Sequence, residues 1–243
     1  MSSRDTLLSA QGLRKQYGAL VVLDGVDFEV RRGDAIGIVG PNGAGKTTLL
    51  SVLSGSQGVS AGTIAFQGAD VSSFDAARRC RMGIARTHQV PQPFSGMTVF
   101  ENVFTAATHG GGFKRSEGYD RCIDALDLCG MTKVANRRAE SLGLLDRKRL
   151  ELTRALATNP EVLLLDEIGG GLTDGEAAEL VQTIRVLHAR DIAIVWIEHI
   201  VHVLLQVAQR LVCMDSGRII AEGDPQEVLA NATVVDAYLG GGR

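Results

Sequence analysis

The chain has 243 residues, 45% hydrophobic and 22% charged, with a net charge of −3. That is enough to bury one elaborate core, and the slight acidity leaves no basic footprint for nucleic acid. No stretch nears the roughly 18 consecutive apolar residues of a membrane span, and residues 1–15 carry no signal-peptide pattern, so a soluble cytoplasmic protein is expected.

Apolar or alternating runs at residues 7–17 and 26–30 predict strands, with Arg31-Arg32-Gly33 as the following turn. Residues 34–39 (DAIGIV) read as a short buried strand and residues 46–53 (KTTLLSVL) as the helix after it. Between them lies Gly40-Pro41-Asn42-Gly43-Ala44-Gly45-Lys46-Thr47, which fits G-x-x-x-x-G-K-[ST]. Glycines let such a loop curl its N–H groups inward around phosphate oxygens at a helix N-terminus, where the dipole favours anions. Lys46 is then placed for the β- and γ-phosphates, and the Thr47 hydroxyl for Mg²⁺.

Further strands are expected at residues 62–68 and 83–88. Residues 90–160 then turn helical. Spacing predicts helices over 97–108 and 118–129, joined by a mobile connection through His109 to Gly112 and Lys114-Arg115-Ser116, and an amphipathic helix over 146–158. Alternation resumes with strand 162–166, helix 174–189, strand 192–197, helix 200–209 and strands 211–215 and 218–221. Strands separated by long helices imply a parallel sheet covered on both faces, here interrupted by a helical insertion.

Val162-Leu163-Leu164-Leu165 delivers Asp166 and Glu167 at a strand C-terminus, where open α/β sheets bind ligands. Asp166 suits Mg²⁺, and Glu167 is placed to polarise or deprotonate a water; the bland alternative is an acidic strand end at the surface. Glu198-His199 closes the next strand in the same way. His199 either fixes Glu167 and the γ-phosphate or is simply a structural histidine. His199 and His202 lack the order His-Glu-x-x-His, so zinc is rejected, and His88, His109 and His188 receive no role. Cys80, Cys122, Cys129 and Cys213 have no paired or metal-ligand spacing and read as reduced structural thiols.

In this order the motifs resemble the nucleotide-binding subunits of ATP-binding cassette (ABC) transporters, over nearly the whole chain. The resemblance implies an α/β P-loop NTPase (ABC ATPase) core with a mainly parallel sheet, an N-terminal antiparallel β subdomain and an inserted helical subdomain. The core would comprise residues 1–89 and 159–243, and the insertion residues 90–158. Tyr17 would stack on adenine, although it is equally readable as a strand-end tyrosine. ATP binding would extend from Gly40 through Thr48, with Mg²⁺ held by Thr47, Asp166 and Gln89. Gln89, Glu167 and His199 would be catalytic. Gly170-Gly171-Leu172-Thr173 stands at the family's dimer-contact loop, with Ile168 where a proline is frequent.

One segment departs from the family pattern. Where the family has L-S-G-G-Q ahead of its basic helix, this chain has Leu142-Gly143-Leu144-Leu145-Asp146, while the helix itself, Arg149 to Leu156, matches. The phosphate-binding serine becomes Gly143, leucine side chains obstruct close backbone approach, and Asp146 adds negative charge. Family members close head to tail, so this degeneracy implies pairing with a different ATPase subunit; a homodimer is the alternative.

Within the family the likeness is to ATPase subunits of branched-chain (hydrophobic) amino-acid importers. It rests on Gly83-Ile-Ala-Arg-Thr-His-Gln89, Met97-Thr-Val-Phe-Glu-Asn-Val103, Trp196-Ile-Glu-His199 and Val234-Val-Asp-Ala-Tyr-Leu-Gly240. Lipopolysaccharide-export ATPases share a similar tail, and His88 replaces a common aromatic. The implied partners are membrane permease subunits, touching Gln89 to Phe94 and Thr98 to Phe104, and indirectly a periplasmic binding protein. The location would be peripheral, on the inner face of the cell membrane. A soluble ABC ATPase acting on nucleic acid is disfavoured by the absence of a basic surface, and a GTPase by the lack of an NKxD motif.

Overall fold

The computed structural model describes residues 6–240. In chain order the elements are β1 (Thr6–Tyr17), β2 (Leu20–Arg31), β3 (Ala35–Val39), α1 (Lys46–Leu53), β4 (Ala61–Phe66), β5 (Ala69–Asp70), α2 (Ala76–Met82) and β6 (Ile84–Arg86). Three helices follow, α3 (Val99–Thr105), α4 (Arg115–Leu128) and α5 (Leu144–Ala157). The chain then runs through β7 (Val162–Asp166), α6 (Asp174–His188), β8 (Ala193–Ile197), α7 (Val201–Leu204), β9 (Arg210–Asp215), β10 (Arg218–Gly223), α8 (Pro225–Ala230) and α9 (Ala232–Gly240).

Two sheets form. The first, β2-β1-β4-β5, is antiparallel; the second runs β10-β9-β3-β8-β7-β6, parallel throughout except for the β10 edge. All five residues of each of β3, β7 and β8 are buried, which is why these strands read as unbroken apolar runs rather than as alternation. Their side chains divide between two cores. Val162 and Leu164 face the antiparallel sheet and α1, while Leu163 and Leu165 join the core shared with α4, α5 and α6. The α/β architecture with an antiparallel N-terminal sheet matches the sequence expectation.

Local chemistry sets the helix starts. Thr98 and Thr173 each close a capping box with Glu101 and Glu176, Asp75 caps α2 through the Arg78 N–H, and Asp224 caps α8 ahead of Pro225.

Several boundaries differ from expectation. The predicted 146–158 helix begins earlier, at Leu144, with Gly143 as an N-cap lacking any side-chain bond. The predicted 200–209 helix is regular only over Val201–Leu204, then continues in tight turns that bring the Gln209 N–H to the Ala35 carbonyl at 2.8 Å, so that β9 can start beside β3. His109 and Gly110 are not part of a loose connection: residues Ala106–Gly110 extend α3 as a π turn, and α4 starts at Arg115. The second strand begins at Leu20, well before Val26, because it pairs along nearly all of β1. Helices α2, α8 and α9 carried too few periodic residues to be read from sequence.

A candidate nucleotide-hydrolysis site

Strand β3 occupies the middle of the parallel sheet, so the loop leaving it opens between β8 and β9, both of which run alongside. Gly40 has φ +143, and a Cβ there would stand 2.0 Å from the Met214 carbonyl oxygen; only glycine lets the loop pass β9. A cavity of about 190 Å³ follows, lined by Val22, Asn42, Gly43, Ala44, Gly45, Lys46, Thr47, Thr48 and Glu167. Every residue of the predicted loop from Asn42 to Thr48 therefore faces one space, joined by the predicted carboxylate. Val22, from β2, was not anticipated.

Lys46 Nζ donates to the carbonyls of Gly40 at 2.7 Å and Pro41 at 2.9 Å. Burial pulls its pKa below the ordinary lysine value, opposed mainly by the charge of Glu167. The ammonium thus rests on its own loop, bonds it can exchange for phosphate oxygens.

Asp166 is 1% exposed. Its Oδ1 accepts from Thr47 Oγ1 at 3.3 Å, its Oδ2 pairs with Arg86 Nη2 at 2.7 Å, and its N–H donates to Thr87 Oγ1 at 3.3 Å. Arg86 Nη1 also donates to Ser51 Oγ at 2.8 Å, linking β6 to α1. Arg86 lies inside the stretch Gly83 to Gln89, yet sequence reasoning gave it no role. A lone arginine in an otherwise apolar strand was the available signal.

Glu167 carries the two remaining predicted groups. His199 Nε2 lies 2.7 Å from its Oε1, and Gln89 Nε2 donates to its Oε2. Three residues from three separate strand ends therefore converge beside the phosphate cavity. Tyr17 does not line that cavity; it sits half-exposed at the tip of the β1–β2 hairpin, with Lys15 Nζ 4.9 Å from its ring centre.

At the start of α5, Leu142 is buried, while Leu144 is 45% exposed and packs toward Gly171. Arg149 Nη1 lies 4.0 Å from Asp146, but Arg149 Nη2 is bonded to Glu179 at 2.6 Å, so the two carboxylates share one cation. The helix opening presents Leu144 and Asp146, behind Gly143 as an N-cap that makes no side-chain bond.

The C-terminal helix supplies a contact that sequence reasoning missed: Tyr238 Oη accepts the Gly40 N–H at 2.8 Å. Tyr238→Phe is expected to lower stability by about 1 kcal/mol, since a largely shielded N–H loses its acceptor. Thermal unfolding without nucleotide checks it, and an unchanged midpoint would mean that the bond contributes nothing.

Comparison with known proteins agrees with this geometry. The ABC transporter family pattern matches residues 23–169, more than half of the chain, and that of the branched-chain amino acid ATP-binding cassette transporters matches residues 218–243. The chain belongs to the ABC transporter ATP-binding family. It is 34% identical to the high-affinity branched-chain amino acid transport ATP-binding protein LivG of Salmonella typhimurium, covering 96% of this chain and 98% of that one. A probable LivG of Methanocaldococcus jannaschii is 32% identical over 98% and 99% of the two chains. Among solved structures, a nucleotide-free ATP-binding cassette from an ABC transporter superposes with TM-score 0.87 at 30% identity, covering 96% and 98%. The ADP conformation of an ABC transporter cassette gives TM-score 0.86 at 30% identity, covering 97% and 99%. As an ABC ATPase the protein binds and hydrolyses ATP. Among its described residues, no helix is long and apolar enough to cross a membrane.

Proposed function

We propose that this ABC ATPase energises the import of branched-chain or other hydrophobic amino acids, bound peripherally to permease subunits at the inner membrane face and served by a periplasmic binding protein. The observation that carries the catalytic part is the placement of Glu167 between His199 and Gln89, facing the cavity that holds Lys46 and Thr47. Glu167 takes the proton of the attacking water, and His199 fixes the carboxylate and reaches the γ-phosphate. The loop from Gly40 to Thr48 cradles the phosphates, and Tyr17 stacks on the adenine.

The Thr47 hydroxyl, which lines the cavity, and the buried Asp166 carboxylate it bonds are hard oxygen donors suited to Mg²⁺, with the Gln89 amide oxygen as a third. When bound, the ion neutralises charge developing on the phosphates. Arg86 holds the second Asp166 oxygen and so orients the first.

The substrate class is supported by the LivG relatives and by the match at residues 218–243. We assign residues 90–158 as the helical unit that meets the permeases. Two features support this: Val90 and Phe94 stand exposed, and Phe100, Phe104 and Tyr119 line an apolar cavity of about 670 Å³. Deleting the gene and measuring uptake of labelled leucine tests the substrate class; unchanged uptake overturns it.

Leu144, Leu145 and Asp146 at the opening of α5 support pairing with a different ATPase subunit, whose intact signature completes the site on this chain. The purified chain alone is expected to bind ATP with little turnover, and to gain turnover when its partner is added. Robust, cooperative hydrolysis by the isolated chain, lost on Glu167→Gln, would falsify the pairing.

A further inference from the structure

Behind Glu167 lie two buried opposite charges, Lys148 and Glu198, each bonded to the loop around Glu167 rather than to the other. Glu198 is 3% exposed, and its Oε1 accepts the Gly169 N–H at 2.5 Å and the Trp196 Nε1–H at 3.2 Å. A Cβ on Gly169 would stand 2.8 Å from that same oxygen, so the loop backbone rests directly on the carboxylate. Lys148, on α5, is 4% exposed and donates from Nζ to the Glu167 carbonyl at 3.4 Å. Burial pushes Glu198 up and Lys148 down in pKa, and each charge counteracts the shift of the other. Glu167 itself has φ +47, a left-handed conformation that a non-glycine residue keeps only when its surroundings hold it. Those surroundings include its own N–H on the Ile197 carbonyl at 2.9 Å, the Gly170 N–H at 3.3 Å and Lys148 at 3.4 Å on its carbonyl, and Glu198 on the amide two residues on.

We infer that Lys148 and Glu198 are positioning residues for ATP hydrolysis, fixing the strained backbone of Glu167 so that its carboxylate meets the attacking water. Because Lys148 lies on α5, five residues beyond Gly143, it also ties the opening of that helix to the Glu167 backbone. This rests on Glu167 being the base.

The test compares Lys148→Met, Lys148→Arg, Glu198→Gln and the double variant Lys148→Met/Glu198→Gln, in the assembly that turns ATP over. Lys148→Met and Glu198→Gln are each expected to lower kcat by about 10- to 100-fold, as small misplacements of reacting groups do, with KM for ATP unchanged. Lys148→Arg should retain most of the rate. Replacing both charges leaves no unpaired buried ion, so the double variant should fold and be no slower than the slower single one. Near-wild-type kcat in folded Lys148→Met, or kcat, KM and melting temperature failing together without rescue by arginine, overturns the inference. Glu167→Gln, run alongside, separates the two readings: if it too keeps its turnover, the assignment of the base is what has failed.

Discussion

Glu167→Gln is expected to lower ATP turnover by about 10²- to 10⁴-fold, the range a positioned general base supplies. The side chain keeps its shape, and its amide can still meet His199 and Gln89, so the cavity and the Lys46–Thr47 cradle should persist. What disappears is the carboxylate proposed above as the proton acceptor. ATP binding should therefore survive, and the protein should retain bound ATP that the wild type turns over. Phosphate release and retention of a fluorescent ATP analogue, measured on the same preparation, check both halves. Turnover close to wild type would mean that another group accepts the proton.

Arg79→Met is the substitution expected to cost most stability. Arg79 is 0% exposed, an unusual place for a guanidinium, and burial pulls its pKa below the ordinary arginine value. Its Nη1 donates to the carbonyls of Val52 at 2.7 Å and Leu53 at 2.9 Å, its Nη2 to that of Ser72 at 3.1 Å, and its Nε to that of Phe74 at 3.1 Å. Val52 and Leu53 end α1, so the cation also sits at the negative end of that helix's dipole. Methionine fills much of the volume but takes the donor from the Leu53, Ser72 and Phe74 carbonyls, while that of Val52 keeps the Gly55 N–H at 3.2 Å. Each one stranded costs about 1–3 kcal/mol, so a total of about 3 kcal/mol or more is expected. Denaturant unfolding measures it. A loss below about 0.5 kcal/mol, the scale of an ordinary surface change, would show that Arg79 does not hold α1 in place. Because α1 carries Lys46 and Thr47 at its other end, weaker ATP binding should accompany the lost stability.

The parts of the site that were legible beforehand share one property: their chemistry is local. Gly40 to Thr47 work through backbone curvature and a helix start, both written in adjacent residues, and Asp166-Glu167 and Glu198-His199 follow apolar runs that can only be buried strands. The misjudged elements were those in which tertiary demands override local pattern. The turns after α7 bring Gln209 to Ala35, and the π turn at Ala106–Gly110 takes in His109 and Gly110, which sequence reads as a loop. Arg79 itself lies on α2, whose polar sequence advertises no core-facing stripe.

By itself, then, the amino-acid sequence determined the phosphate loop, the two acidic strand ends and the parallel core, since spacing along a strand or helix fixes which groups emerge where. The departure from Leu142 to Asp146 is legible only beside the family pattern. Tertiary structure alone decided what those groups meet. Arg86 turns onto Asp166, Tyr238 reaches Gly40 from the far end of the chain, and Lys148 and Glu198 close on the loop around Glu167. Such pairings join residues distant in sequence, and a buried charge or N–H accepts whichever partner packing brings within about 3 Å. No periodicity records that choice.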